Sequence, residues 1–141
     1  MKTQSAKAKG RNLQKLVVQE ILNIFLDLTN HDVSSRSMGA QGSDILMSER
    51  ARNAMDLFVI ECKNQEKVNI WSAYKQCEDN AENELGKPLL IIKRNREEPL
   101  AILDLTDLLN VLARLHFALD YLNIMKNGIM VEGKHVYTTK A

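Results

Sequence analysis

The chain has 141 residues, 45% hydrophobic and 26% charged, with 19 Lys and Arg against 18 Asp and Glu. That is enough apolar material for a core, while no run nears the roughly 20 apolar residues of a membrane span and no apolar segment follows the basic N-terminus, so a cytoplasmic protein without anchor or secretory signal is expected. Two cysteines, Cys62 and Cys77, without CxxC spacing or Cys/His clustering, exclude a disulfide framework, argue against structural zinc and read as reduced thiols.

In chain order, Lys2, Lys7, Lys9, Arg11 and Lys15 precede any acid. Residues 1–10 therefore read as a flexible basic arm, suited to a polyanion such as nucleic acid or serving only as a solubilising tail. Leu13, Leu16, Val17, Ile21, Ile24, Phe25 and Leu28 recur at three- and four-residue steps, predicting an amphipathic helix from Asn12 to Leu28. His31 to Gly42 is rich in Ser and Gly and reads as a loop. Asp44 to Met47 reads as a short strand, Ser48 to Asp56 as a turn or one helical turn, and Leu57 to Lys63 as the clearest strand of the chain. Trp71, Tyr74, Cys77, Ala81 and Leu85 place the core face of a second helix, which stops at Gly86–Lys87–Pro88. Within it Glu78, Asp79, Glu82 and Glu84 are expected to face solvent, away from a polyanion. Strands are predicted at Leu89 to Lys93 and Leu100 to Leu103, and the strand–helix–strand order implies a crossover. Thr106 is read as the N-cap of a third, unusually apolar helix, and Asn127 to Ala141 as a small hairpin or tail. The organisation expected is an arm, 1–10, a core, 11–105, and a C-terminal helix and tail, 106–141.

Glu61–Cys62–Lys63 ends the strongest strand. Alternation puts Glu61 and Lys63 on one face, about 7 Å apart, with Cys62 on the other. Asp44 could reach the same face if its strand paired with this one as a hairpin. Two carboxylates with open water positions suit Mg²⁺ or Mn²⁺, and a lysine beside them could position or deprotonate an attacking water or neutralise a developing phosphate charge. The competing reading of such a triplet is a solvated surface ion pair.

Asp44, then Glu61-x-Lys63 on a following strand, then a helix carrying Gln76, resembles the PD-(D/E)XK nuclease superfamily, in its branch of small phage nucleases and archaeal-type Holliday junction resolvases. The resemblance runs from Lys9–Gly10 through SRSMGAQGSDI and IECKNQEKVNIW to Lys93–Arg94–Asn95–Arg96, covering residues 9 to about 105. It implies a restriction-endonuclease-like α/β fold, a mixed sheet flanked by helices, with Asp44 and Glu61 as metal ligands, the Cys62 backbone carbonyl as a further ligand and Lys63 beside the attacking water. Resolvases of this kind carry a glutamate on the first helix where this chain has Gln14. Gln14 and the next acid, Glu20, lie roughly 120° apart around a helix, so only one can face the site, and Glu20 is favoured.

Lys7 and Lys9 of the arm with Arg11 just after it, Ser35, Arg36 and Ser37 of the loop, and Lys75 and Gln76 of the second helix are the expected DNA contacts, with Arg36 foremost. Lys93, Arg94 and Arg96 extend the basic surface or form only a charged turn. Trp71 and Tyr74 are expected in the core, with stacking on a base the alternative for Trp71. No Ser/His/Asp arrangement and no GxxxxGK[ST] loop is present, which argues against acyl transfer and nucleotide hydrolysis. The reading is a Mg²⁺-dependent endonuclease on branched DNA, a phage-type junction resolvase acting in the host cytoplasm. The resemblance implies a homodimer, and the third helix, apolar around much of its circumference, is the first candidate for its interface. Alternatives are a nicking, repair or restriction-type nuclease on duplex or flapped DNA, or a non-catalytic DNA-binding module of the same fold.

Overall fold

A computed structural model describes residues 3–127, 130–131 and 134–135. The chain forms two compact units, Met1–Leu103 and Asp104–Ala141. The first contains α1 (Thr3–Ile24), β1 (Val33–Ser35), β2 (Ile45–Met47), α2 (Glu49–Ala54), β3 (Phe58–Asn64), α3 (Ile70–Asn83), β4 (Lys87–Lys93) and β5 (Leu100–Ile102). The class is α/β. A mixed three-stranded sheet runs β3-β4-β5, with β3 parallel to β4 and β4 antiparallel to β5, while β1 and β2 form a separate antiparallel pair.

Leu13, Val17 and Ile21 of α1 recur every fourth residue and are buried with Val33, Ile45, Ile60 and Cys62 in the larger core cluster. Each large aliphatic so buried contributes about 2 kcal/mol. On α3 the smaller residues Ala73, Cys77 and Ala81 form the buried face, with Ala73 and Cys77 packed with Leu90 of β4 in a second cluster. Since β3 and β4 are parallel, α3 is the crossover between them, and the alternation of β3 sends Cys62 to the α1 side and Glu61 to the α3 side.

Four expectations change. The predicted arm is the start of α1, because nothing between Thr3 and Arg11 breaks a helix except Gly10; Lys7, Arg11 and Lys15, four residues apart, form an exposed basic stripe along it. Lys2 lies outside the described residues. Part of the predicted loop is β1, whose Val33 is buried and whose partner is β2, so β2 does not form a hairpin with β3. Of the two readings of Ser48 to Asp56 the helical one holds: Ser48 caps α2, whose six residues separate β2 from β3. Trp71 is 87% exposed, because it lies 120° around α3 from Cys77; Tyr74 is partly buried.

The end of α3 departs from the simple glycine stop. Leu85, not Gly86, holds the left-handed conformation (φ 54°), and the Gly86 N–H donates to the Ala81 carbonyl at 2.8 Å. Gly86 is needed for close approach: a Cβ there would lie 2.5 Å from the Leu57 carbonyl oxygen and from Val59 Cγ2.

The second unit holds α4 (Leu105–Asn127) and the antiparallel pair β6 (Met130–Val131) and β7 (Lys134–His135). The rest of the predicted tail lies outside the described residues. Asp104, rather than Thr106, caps α4: its Oδ1 accepts from the Asp107 N–H at 3.1 Å, three residues on. No residue of α4 is buried, and no described helix is long and apolar enough to cross a membrane.

Candidate active site

Asp44 precedes β2 and reaches β3 by two hydrogen bonds. Its backbone N–H donates to the Ile60 carbonyl at 3.1 Å, and its Oδ2 accepts from the Cys62 N–H at 2.7 Å. Hydrogen bonding to neighbouring backbone thus does what the expected hairpin was to do. Glu61 is only 5% exposed. Its Oε2 accepts from Asn80 Nδ2 of α3 at 3.0 Å, and its Oε1 lies 3.7 Å from Lys63 Nζ. Lys63 Nζ donates to Gln76 Oε1 at 2.8 Å. Asp44, Glu61, Gln76 and Asn80 line a cleft of about 590 Å³ together with Gly42 and Glu84.

The electrostatics follow from this crowding. Burial raises the Asp44 carboxyl above its ordinary value, opposed by the Cys62 N–H and the nearby Lys63 and Arg36. Burial first, and then the charge of Asp44, push Glu61 up to about 7. Burial likewise pushes the Cys77 thiol to about 12 and the Cys62 thiol higher still, which makes both poor nucleophiles. Both cysteines are free and buried.

A brace of three residues supports Asp44. Ser43 is buried; its N–H donates to Glu84 Oε1 and its hydroxyl to Glu84 Oε2, both at 2.8 Å. Arg36 Nε donates to the Ser43 carbonyl at 2.5 Å, and its Nη2 lies 3.6 Å from Glu84 Oε1. The Arg36 N–H also donates to the Asp44 carbonyl at 2.7 Å. Gly42, at φ 105°, passes so close that a Cβ would meet both Arg36 and Glu84 at 3.0 Å. Arg36 is thus committed first to holding the Asp44 segment, and Glu84 faces the cleft instead of open solvent as expected of its acidic cluster. The signal for Glu84 was present: Gln76, Asn80, Asn83 and Glu84 form a polar stripe at helical spacing beside the Ala73–Cys77–Ala81 face.

The other expected site residues are dispersed. Glu20 is exposed on α1 and does not line the cleft, while Gln14 is buried, its Nε2 donating to Met38 Sδ at 3.7 Å. Neither supplies a third acid. Lys7 and Arg11 are exposed; Lys9 Nζ donates to Asn95 Oδ1 at 2.7 Å, which ties α1 to the turn carrying Lys93, Arg94 and Arg96. Ser35 and Ser37 are exposed, and Lys75 pairs with Asp79 at 3.3 Å and Glu78 at 3.9 Å.

Among the described residues no group of three or more His, Cys, Asp or Glu is placed to hold a metal ion. The donor set still fits Mg²⁺ bound in its usual way, through one or two carboxylates with retained waters and substrate phosphate rather than a full protein cage. Asp44 and Glu61 line one cleft with room for water, and burial destabilises both as anions, Glu61 further by the charge of Asp44. No family model, curated protein or solved structure matches the chain.

Proposed function

We propose that the chain is a metal-dependent DNA endonuclease of the PD-(D/E)XK, restriction-endonuclease-like kind, acting as a homodimer on branched DNA in the manner of a phage-type Holliday junction resolvase. The observation that carries this reading is that Asp44 and Glu61 line one polar cleft, with Lys63 Nζ 3.7 Å from Glu61 Oε1, in the order and strand context of that motif. Asp44 and Glu61 would hold Mg²⁺, or Mn²⁺ in its place, with the Cys62 carbonyl the further donor the motif implies. The ion, when bound, supplies Lewis-acid stabilisation of phosphate charge and a more acidic water.

The chain's own groups have separate tasks. Lys63, steered by Gln76 Oε1 and Glu61 Oε1, presents its ammonium where a phosphate oxygen or attacking water would sit. Asn80 fixes the rotamer of Glu61, and the Ser43–Glu84–Arg36 brace fixes the backbone of Asp44. The exposed Lys7, Arg11 and Lys15 stripe, with the Lys93–Arg96 turn tied to it through Lys9, supplies positive charge for the phosphate backbone.

The test is cleavage of a labelled four-way junction, a flap and a linear duplex side by side, in Mg²⁺, Mn²⁺ and EDTA. Symmetric cutting of the junction, lost in EDTA, is expected. Cutting of all three would keep the chemistry and remove the selectivity; tight binding without cutting would leave a DNA-binding module.

A further inference from the structure

Helix α4 carries a pattern that the cleft does not explain. Leu105, Leu108, Leu112, Leu115, Leu119 and Leu122 follow one another at steps of three, four, three, four and three, the heptad spacing of a coiled-coil seam. All six are between 38% and 67% exposed. Leu109, Val111 and Met125 widen the stripe to the face typical of a helix inside a bundle. We infer that α4 is the contact between two copies of this chain, paired antiparallel along the leucine seam. The inference deepens the homodimer of the proposed function and rests on it for the second copy, but it is argued from α4 alone, so a dimer that cuts no DNA would leave it standing.

Three observations select this occupant. First, the apolar area is sufficient: a helix of 23 residues is about 35 Å long, and its seam with the flanking residues offers roughly 600 Å² per copy, where stable interfaces begin. Second, the charge is wrong for a lipid surface. Interfacial helices carry a cationic polar face, whereas α4 balances Arg114 and Lys126 with Asp107 and Asp120 and places Phe117 and Ile124 opposite the seam. Third, the charges favour a second copy running the other way. Lys126 continues the three-four spacing, so parallel pairing would set it against the partner's Lys126. Antiparallel pairing that joins Leu105 to Leu122, Leu108 to Leu119 and Leu112 to Leu115 fills every leucine position. It also carries Lys126 past the end of the seam, roughly three residues beyond the level of the partner's Asp104 and far from the partner's Lys126, and it opposes the two helix dipoles.

Sedimentation equilibrium of the full chain should give a species of twice 16.0 kDa. The double variant Leu112→Glu, Leu115→Glu should be monomeric while keeping the circular dichroism of the first unit, and Phe117→Glu, off the seam, should stay dimeric. Direction is read by cross-linking, since the native Cys62 and Cys77 are buried. Leu108→Cys mixed with Leu119→Cys should form a disulfide, whereas Leu108→Cys alone should not, because its two copies would lie about 16 Å apart along the axis. A monomeric wild-type chain, a tetramer, a dimer indifferent to the double variant, or self-linking of Leu108→Cys would overturn the proposal.

Discussion

Replacing Glu61 by Gln should stabilise the metal-free protein at pH 8. Glu61 ionises near 4.5 in an unfolded chain and near 7 in the fold, where burial and Asp44 hold its proton on. Between those values the folded state binds more protons than the unfolded one, so stability falls as pH rises through that window and stays low above it. A displacement of this size corresponds to about 3 kcal/mol. Asp44 is shifted in the same direction and adds to the slope. Asp32, held below its ordinary range by the Thr29 N–H and the Ser48 hydroxyl, acts oppositely, but only as pH falls below the usual carboxylate range. Glutamine keeps an oxygen for Asn80 Nδ2 and removes the charge. Urea unfolding in EDTA, followed by circular dichroism, should therefore show the wild type losing stability between pH 5 and 8. The variant should show a shallower loss, with a melting temperature at pH 8 higher by roughly 10 °C. Mg²⁺ should restore the wild type at pH 8 far more than at pH 5 and do little for the variant. A wild-type profile flat across this range, or a variant weakened equally at both pH values, would refute the reasoning.

Two further predictions concern the end of α3. Leu85→Gly should stabilise the fold by about 1 kcal/mol by relieving the left-handed backbone, whereas Gly86→Ala should cost several times that, since its Cβ would strike the Leu57 carbonyl; thermal melts distinguish them. Glu84→Ala should lower stability by about 2–4 kcal/mol, by leaving the Ser43 N–H and hydroxyl without their acceptor, and should weaken Mg²⁺ binding in calorimetry. Glu84→Gln, which keeps one acceptor oxygen, should lose less on both counts.

What could be read from the sequence was what periodicity controls. β3, β4 and the strand–helix–strand crossover follow from apolar runs bounded by polar turns, and the sharing of one face by Glu61 and Lys63 follows from strand alternation alone. What could not be read depended on partners distant in sequence. The link between Asp44 and β3 is made by single backbone hydrogen bonds that leave no periodic trace. β1 is three residues long, with one buried side chain, too short for a pattern. Trp71 is hydrophobic, yet its angle around α3 decides its place, because small Ala and Cys side chains form the packing face. Glu84 was hidden among exposed acids, and only its alignment with Gln76 and Asn80 would have singled it out.

The central claim is that Asp44, Glu61 and Lys63 cut a phosphodiester. It is tested most directly by comparing wild type, Asp44→Asn and Lys63→Ala on one labelled four-way junction, measuring binding in EDTA and cleavage after Mg²⁺ is added to the same samples. The account predicts junction binding by all three proteins and cleavage by the wild type alone, with both variants slower by at least about 100-fold. Cleavage by Lys63→Ala at the wild-type rate, or wild-type cleavage that persists in EDTA, would contradict it.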